Sequence, residues 1–197
     1  LQAAAEGRPV VLAASTHPGE DEIVLDAFAG LSGHAARPLL AIAPRHPVRG
    51  EAVAALAAGR GFTVRRRAAG ESPEGADVYV ADTLGEMGTL IRWSRAVFVG
   101  GSLDPTIGGH NPLEPARLDR PCASGPFFEN WTSVFEALIG AGGVRITPDA
   151  DALARFFAEA IDARACLCDQ AEKARLFAAE QAGAAELVVE RLKELLG

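Results

Sequence analysis

Short, uniformly apolar runs alternate along this chain with stretches of helical period, and that alternation constrains the fold more than any single motif. Residues 9–15 (PVVLAAS) form a continuous apolar run of the kind buried on both faces of a sheet. Residues 21–31 then place Ile23, Val24, Ala27, Phe28 and Leu31 on one helical face. Further strand-like runs lie at 38–44, 62–67, 77–82, 96–102 and 121–126, with a last short one at 144–147. Helices are expected over roughly 48–59, 84–94 and 130–143. After Pro148 the pattern stays helical, over 149–163 and about 168–195, with a break near Gly183. Buried strands joined by single helices require right-handed crossovers, hence a parallel sheet covered on both faces. The expected fold is α/β: a doubly wound parallel sheet with a helical C-terminus. No repeat, low-complexity tract or linker divides it, so residues 1–197 read as one domain.

Charge and cysteine usage narrow the function classes. A net charge of −7 argues against a nucleic-acid-binding domain, which needs a basic face. The one basic cluster, Arg65-Arg66-Arg67, reads as a solvated strand end or as a patch for an acidic partner. Three cysteines, Cys122, Cys166 and Cys168, do not make a disulfide framework and suit a reducing cytosol, and Cys122 reads as a packing residue. The four histidines (17, 34, 46, 110) are scattered, and none stands at metal-ligand spacing from a cysteine. No apolar run reaches the roughly 20 residues of a membrane span. The opening LQAAAEGRP reads as the last turn of a helix with its glycine stop, and we expect a piece of a longer protein.

In doubly wound sheets ligands bind beyond the carboxyl ends of the strands, and the unusual residues fall there. They are Ser15-Thr16-His17-Pro18-Gly19-Glu20, Pro44-Arg45-His46-Pro47, residues 82–88 (DTLGEMG), Gly100-Gly101-Ser102, and GGHNPLEP at 108–115. Glycine-rich turns entering helices expose backbone N–H groups to an anion, although glycines at a strand end also serve plain tight turns. Neither G-x-G-x-x-G nor the P-loop pattern occurs. Arg45 between two prolines can stack on a flat base or fork a phosphate, or stand at the surface. Thr16 and His17 read equally as a cap and turn, and Glu86 as a solvated helix charge. Asn111 and Glu114, at i and i+3, share one face of a short helix. They suit either a capping box or a ribose-and-phosphate clamp, and the neighbouring Gly100-Gly101-Ser102 favours the clamp.

Taken in order, AASTHPGE, APRHP, VADTLGEMG, FVGGS and GGHNPLEP resemble the C-terminal half of the 3-deoxy-D-manno-octulosonic acid (Kdo) transferases, over about residues 9–145. The resemblance implies a GT-B glycosyltransferase: two Rossmann-like domains facing a cleft, with CMP-Kdo bound mainly by the C-terminal one. It implies Arg45 beside the cytosine, with Gly85, Glu86 and Met87 lining the nucleotide. Gly101, Ser102 and Asn111 would face the phosphate and Glu114 the ribose. Ser15, Thr16, His46 and His110 would border the donor in the cleft. It further implies inverting transfer to the lipid A precursor at the cytoplasmic face of the bacterial inner membrane, without metal or cofactor. General base, acceptor site and membrane contact would lie in the family's N-terminal half. This chain alone is then expected to be inactive and to bind CMP or CMP-Kdo weakly. RPCASGP is more polar than the usual strand there, and 103–107 reads LDPTI; both bear on donor preference. The rivals are another GT-B enzyme using a UDP- or GDP-sugar, a UDP-GlcNAc 2-epimerase, and a non-catalytic nucleotide-binding module.

Overall fold

The computed structural model describes residue 5, residues 7–163 and residues 165–196. Strand β1 (Val10–Thr16) leads to α1 (Glu20–Ala29), β2 (Leu39–Pro44) and, after a 3-10 turn at Pro47–Arg49, α2 (Gly50–Gly59). Two short strands follow, β3 (Val64–Arg66) and β4 (Val78–Val80), then α3 (Met87–Trp93), β5 (Ala96–Val99) and α4 (Leu113–Arg117). The chain continues through β6 (Cys122–Ser124), a 3-10 turn at Glu129–Trp131, α5 (Thr132–Ala141) and β7 (Val144–Ile146) to α6 (Ala150–Ile161) and α7 (Ala165–Leu196). All seven strands are parallel, in the order β3-β4-β2-β1-β5-β6-β7.

The period of two in β1 explains the layering. Val10, Leu12 and Ala14 join one core cluster with Leu90, Ile91, Leu113, Phe135, Leu138 and Ala174, the face covered by α3, α4, α5 and α7. Val11 and Ala13 join the other with Val24, Phe28, Val53, Leu153 and Phe156, beneath α1, α2 and α6. Each of these large side chains contributes about 1.5–3 kcal/mol by leaving water. Asp149 starts α6 by accepting the Ala152 N–H at 2.8 Å, an N-cap that satisfies an orphan donor. Gln170 on α7 donates to the Cys122 carbonyl at 2.6 Å and ties that helix to β6.

The expected doubly wound parallel sheet with helices at the C-terminus is the observed one, and four details differ. Helix α3 starts at Met87 rather than Leu84, because Gly85 sits at φ +81°, outside the helical region. The helix expected over 130–143 opens as a 3-10 turn and becomes α-helical only at Thr132. Helix α7 passes Gly183 without a break, since one glycine costs a long helix only about 1 kcal/mol. The weak sixth strand is wholly buried.

The chain leaves β1 for β2 on one side, while β5 lies on the other. That switch point opens a crevice at the carboxyl ends of β1 and β5. Ser15 steps out of the ladder there, with φ +57° and a register shift between Ala14 and Thr16, a bulge that re-aims a side chain at the sheet rim.

Candidate functional site

A buried carboxylate organises the crevice. Glu20, the first residue of α1 and 1% exposed, accepts four backbone N–H bonds. They come from His17 at 2.9 Å, Gly101 at 2.6 Å, Ser102 at 2.9 Å and Leu103 at 3.0 Å. The loop after β1 and the loop after β5 are therefore clamped to each other. This corrects the expectation that Gly101 and Ser102 face a phosphate: both N–H groups are taken by Glu20. Ser102 is fully buried, and its hydroxyl donates to the Val99 carbonyl and accepts the Gly125 N–H. Thr16 is corrected in the same way. It is fully buried, and its carbonyl accepts from the Arg45 N–H and from Arg49 Nη1, both at 3.0 Å. Arg49 also pairs with the buried Asp21.

Three of the histidines that look scattered in sequence meet at this edge. His17 and His110 stack with ring centroids 5.0 Å apart, and their Nε2 atoms share a hydrogen bond of 2.8 Å. His46 stands edge-on to His17 at 6.0 Å. Burial, the largest cause, holds both the His17 and His110 imidazoles below the usual 6.5.

The GGHNPLEP turn lies over this arrangement. Gly108 and Gly109 take φ +82° and +80°, where a side chain is strained, and a Cβ on Gly109 would stand 3.0 Å from the Phe128 Cα. The Gly109 N–H donates to the Gly101 carbonyl at 2.6 Å. These glycines therefore let two turns pack closely. The N–H groups of His110 and Asn111 find no acceptor among the described residues. The Asn111 side-chain carbonyl oxygen accepts the Leu113 N–H at 2.9 Å, a local turn just ahead of α4, whose N-cap position is Pro112; its amide NH2 has no partner among the described residues. Glu114 does not reach back to complete a capping box: it is exposed, and its carboxylate has no partner among the described residues. Ser15, Met87, Ile91, His110, Asn111, Glu114 and Trp131 border a cavity of about 230 Å³.

Across the crevice, Arg45 and His46 are exposed on the loop after β2, and the Arg45 guanidinium has no partner among the described residues. Glu86 departs from its reading as a solvated charge. Its carboxylate is forked by Arg67 at 2.6 and 3.0 Å and bonded by Thr83, and these bonds push it down to about 2. Met87 borders the small cavity, and Gly85, at φ +81°, forms the turn before α3. Nor is the arginine cluster a solvated strand end: Arg66 forks the buried Asp82 at 2.9 and 3.0 Å, and only Arg65 lacks a carboxylate.

Four participants carry no individual role in the sequence reading: Glu20, named there only as part of the loop after β1, Arg49, Arg67, named only within the arginine cluster, and Trp131. The larger cavity of about 560 Å³, lined by Pro9, Trp93, Ser94 and Arg120 among others, lies at the amino end of the sheet, away from this chemistry. Cys122 is fully buried with its thiol pushed up to about 12 by burial, which fits a packing role. Among the described residues no group of His, Cys, Asp or Glu is arranged to hold a metal ion. No helix there is long and apolar enough to cross a membrane.

An all-parallel sheet of this order, with helices on both sides and its cleft at the switch point, is a Rossmann-type domain of the GT-B kind. The chain is 40% identical over 152 residues to the 3-deoxy-D-manno-octulosonic acid transferase of Haemophilus influenzae and 34% identical over 200 residues to that of Bordetella pertussis. A crystal structure of the C-terminal CMP-Kdo binding domain of WaaA from Acinetobacter baumannii superposes with a TM-score of 0.83 at 30% identity, covering 88% of this chain and 90% of that one. The chain belongs to the Kdo transferase family and matches its C-terminal domain. The two enzymes align over 76% and 99% of this chain, which spans only 35% and 46% of their length. No family model matches the sequence.

Proposed function

We propose that this chain is the donor-binding half of a Kdo transferase and holds CMP-Kdo, or the product CMP, at the carboxyl edge of its sheet. The observation that carries the reading is Glu114. Its carboxylate stands exposed and partnerless at the mouth of the cavity, beside the Asn111 amide and two free backbone N–H groups. A carboxylate so placed accepts the two hydroxyls of a ribose, while the N–H groups and the amide meet a phosphate. Met87 and Trp131 give the base an apolar wall, and Arg45 supplies the cation for the base or the phosphate. Ser15, His46 and His110 border the sugar.

In the inverting transfer we infer, an acceptor hydroxyl attacks the anomeric carbon as the bond from that carbon to the phosphate oxygen breaks. The electron pair leaves with CMP, and the hydroxyl proton goes to a base outside this chain. Protein dipoles and Arg45 stabilise the leaving phosphate, without a metal or cofactor. The lipid A precursor and the cytoplasmic face of the inner membrane would be met through parts of the enzyme other than these residues. The sequence similarity to whole Kdo transferases and the fold similarity to a CMP-Kdo binding domain support this reading. Calorimetric titration with CMP, UMP and UDP tests it: CMP should bind more tightly than UMP or UDP, and equal or absent binding of all three would overturn it.

A further inference from the structure

In a Rossmann-type domain the turn at the switch point and the helix after the first strand together make a cradle of N–H groups for a ligand anion. Here a side chain of the protein fills that cradle. The Glu20 carboxylate takes the N–H groups of His17, Gly101, Ser102 and Leu103 at 2.6–3.0 Å and is almost completely buried. A Cβ on Gly100 would stand 2.8 Å from the Ser15 carbonyl oxygen and 3.0 Å from Glu20 Oε2, so the strand end closes tightly around the carboxylate. A second anion in the same cradle would face like charge at contact distance.

The clamp reaches the outer turn by two routes. The Gly101 carbonyl accepts the Gly109 N–H at 2.6 Å, and the His17 ring bonds the His110 ring at 2.8 Å. One residue further along, the N–H groups of His110 and Asn111 have no acceptor among the described residues. We propose that Glu20 is a positioning residue for the donor: its carboxylate occupies the switch-point cradle as a built-in anion. It thereby fixes the outer turn and directs the donor phosphate to the N–H groups of His110 and Asn111. The proposal rests on the donor-site reading and adds to it a residue that touches no substrate.

The test uses this chain, whose crystallised relative is itself an isolated C-terminal domain. CMP is titrated into wild type and Glu20→Ala, each with and without added formate. Loss of the carboxylate should weaken CMP by on the order of tenfold. Formate should enter the vacated cradle and restore CMP affinity in Glu20→Ala, leaving wild type unchanged, because the two anions bind together. A merely structural role predicts no such rescue. CMP binding as tight as wild type in Glu20→Ala, or formate competing with CMP there, would overturn the proposal by making the cradle the phosphate site. Backbone amide NMR of wild type decides the matter even if Glu20→Ala does not fold. On CMP addition the His110 and Asn111 signals should move while those of Gly101 and Ser102 hold, and the reverse pattern would sink the proposal. Absence of any CMP binding to wild type would instead overturn the donor-site reading and, with it, this inference.

Discussion

Gly125 follows β6 directly beneath the crevice, and replacing it with alanine tests how tightly the site loops are seated. The new Cβ would fall 2.5 Å from the Ser102 carbonyl carbon and 2.9 Å from Leu103 Cδ2. Carbon atoms in contact stand about 3.5–4.0 Å apart, so one backbone segment must yield by about 1 Å. Both segments are fixed: Gly125 donates to Ser102 Oγ, and the Ser102 carbonyl accepts the Phe127 N–H. Overpacking of this kind costs about 3 kcal/mol. In a chain of this size that lowers Tm by about 6–12 °C. Gly140→Ala is the matched control, because a Cβ at that exposed helical position meets nothing within 4 Å. It should raise stability by about 0.5 kcal/mol through helix propensity and lower unfolded-state entropy. Thermal denaturation followed by circular dichroism reads both. The reasoning fails if Gly125→Ala melts within about 2 °C of wild type, or if the two variants shift in the same direction.

Two further outcomes follow from the titrating groups. The Glu86 carboxyl lies at about 2 in the folded chain against 4.5 unfolded, so its contribution is complete above pH 4.5 and is lost as pH falls from there toward 2. The pair is roughly a third exposed, which screens its worth to about 1 kcal/mol. Arg67→Ala should remove that increment at pH 7 and flatten the acid limb of a urea-denaturation series. For His17 and His110, burial lowers both imidazoles from 6.5, so the folded chain binds protons less readily than the unfolded one. Stability should be full above pH 6.5 and fall as pH drops below it, and His17→Gln combined with His110→Gln should abolish that slope.

The layered fold was legible because it rests on patterns that each segment carries alone. The continuous apolar runs of β1, β2 and β5 and the one-sided period of α1 need no partner to be read. The site was legible only as a set of loops. The members that missed being read act across long gaps in sequence. Glu20 bonds Gly101 and Ser102 across 81 and 82 residues, and His17 bonds His110 across 93. In sequence a glutamate opening a helix looks like any solvated first-turn carboxylate, so nothing marks Glu20 as buried. Arg67 and Glu86 face each other only once β3 pairs with β4. Ser102 and Thr16 were placed correctly on the sheet edge but point inward, a distinction set by the loop geometry rather than by residue type. Asn111 and Glu114 stand close together in sequence, and both border the small cavity, Glu114 from the first turn of α4 and Asn111 from the turn before it.

The central claim is that Glu114 holds a ribose through its hydroxyls. The most direct measurement is a titration cycle with CMP and 2′-deoxy-CMP on wild type and Glu114→Ala. A lost hydrogen bond to a charged group is worth about 1.5–3 kcal/mol, so wild type should prefer CMP by at least about tenfold. Glu114→Ala should bind both nucleotides weakly and alike. A preference for CMP that survives in Glu114→Ala, or its absence in wild type, would contradict the account.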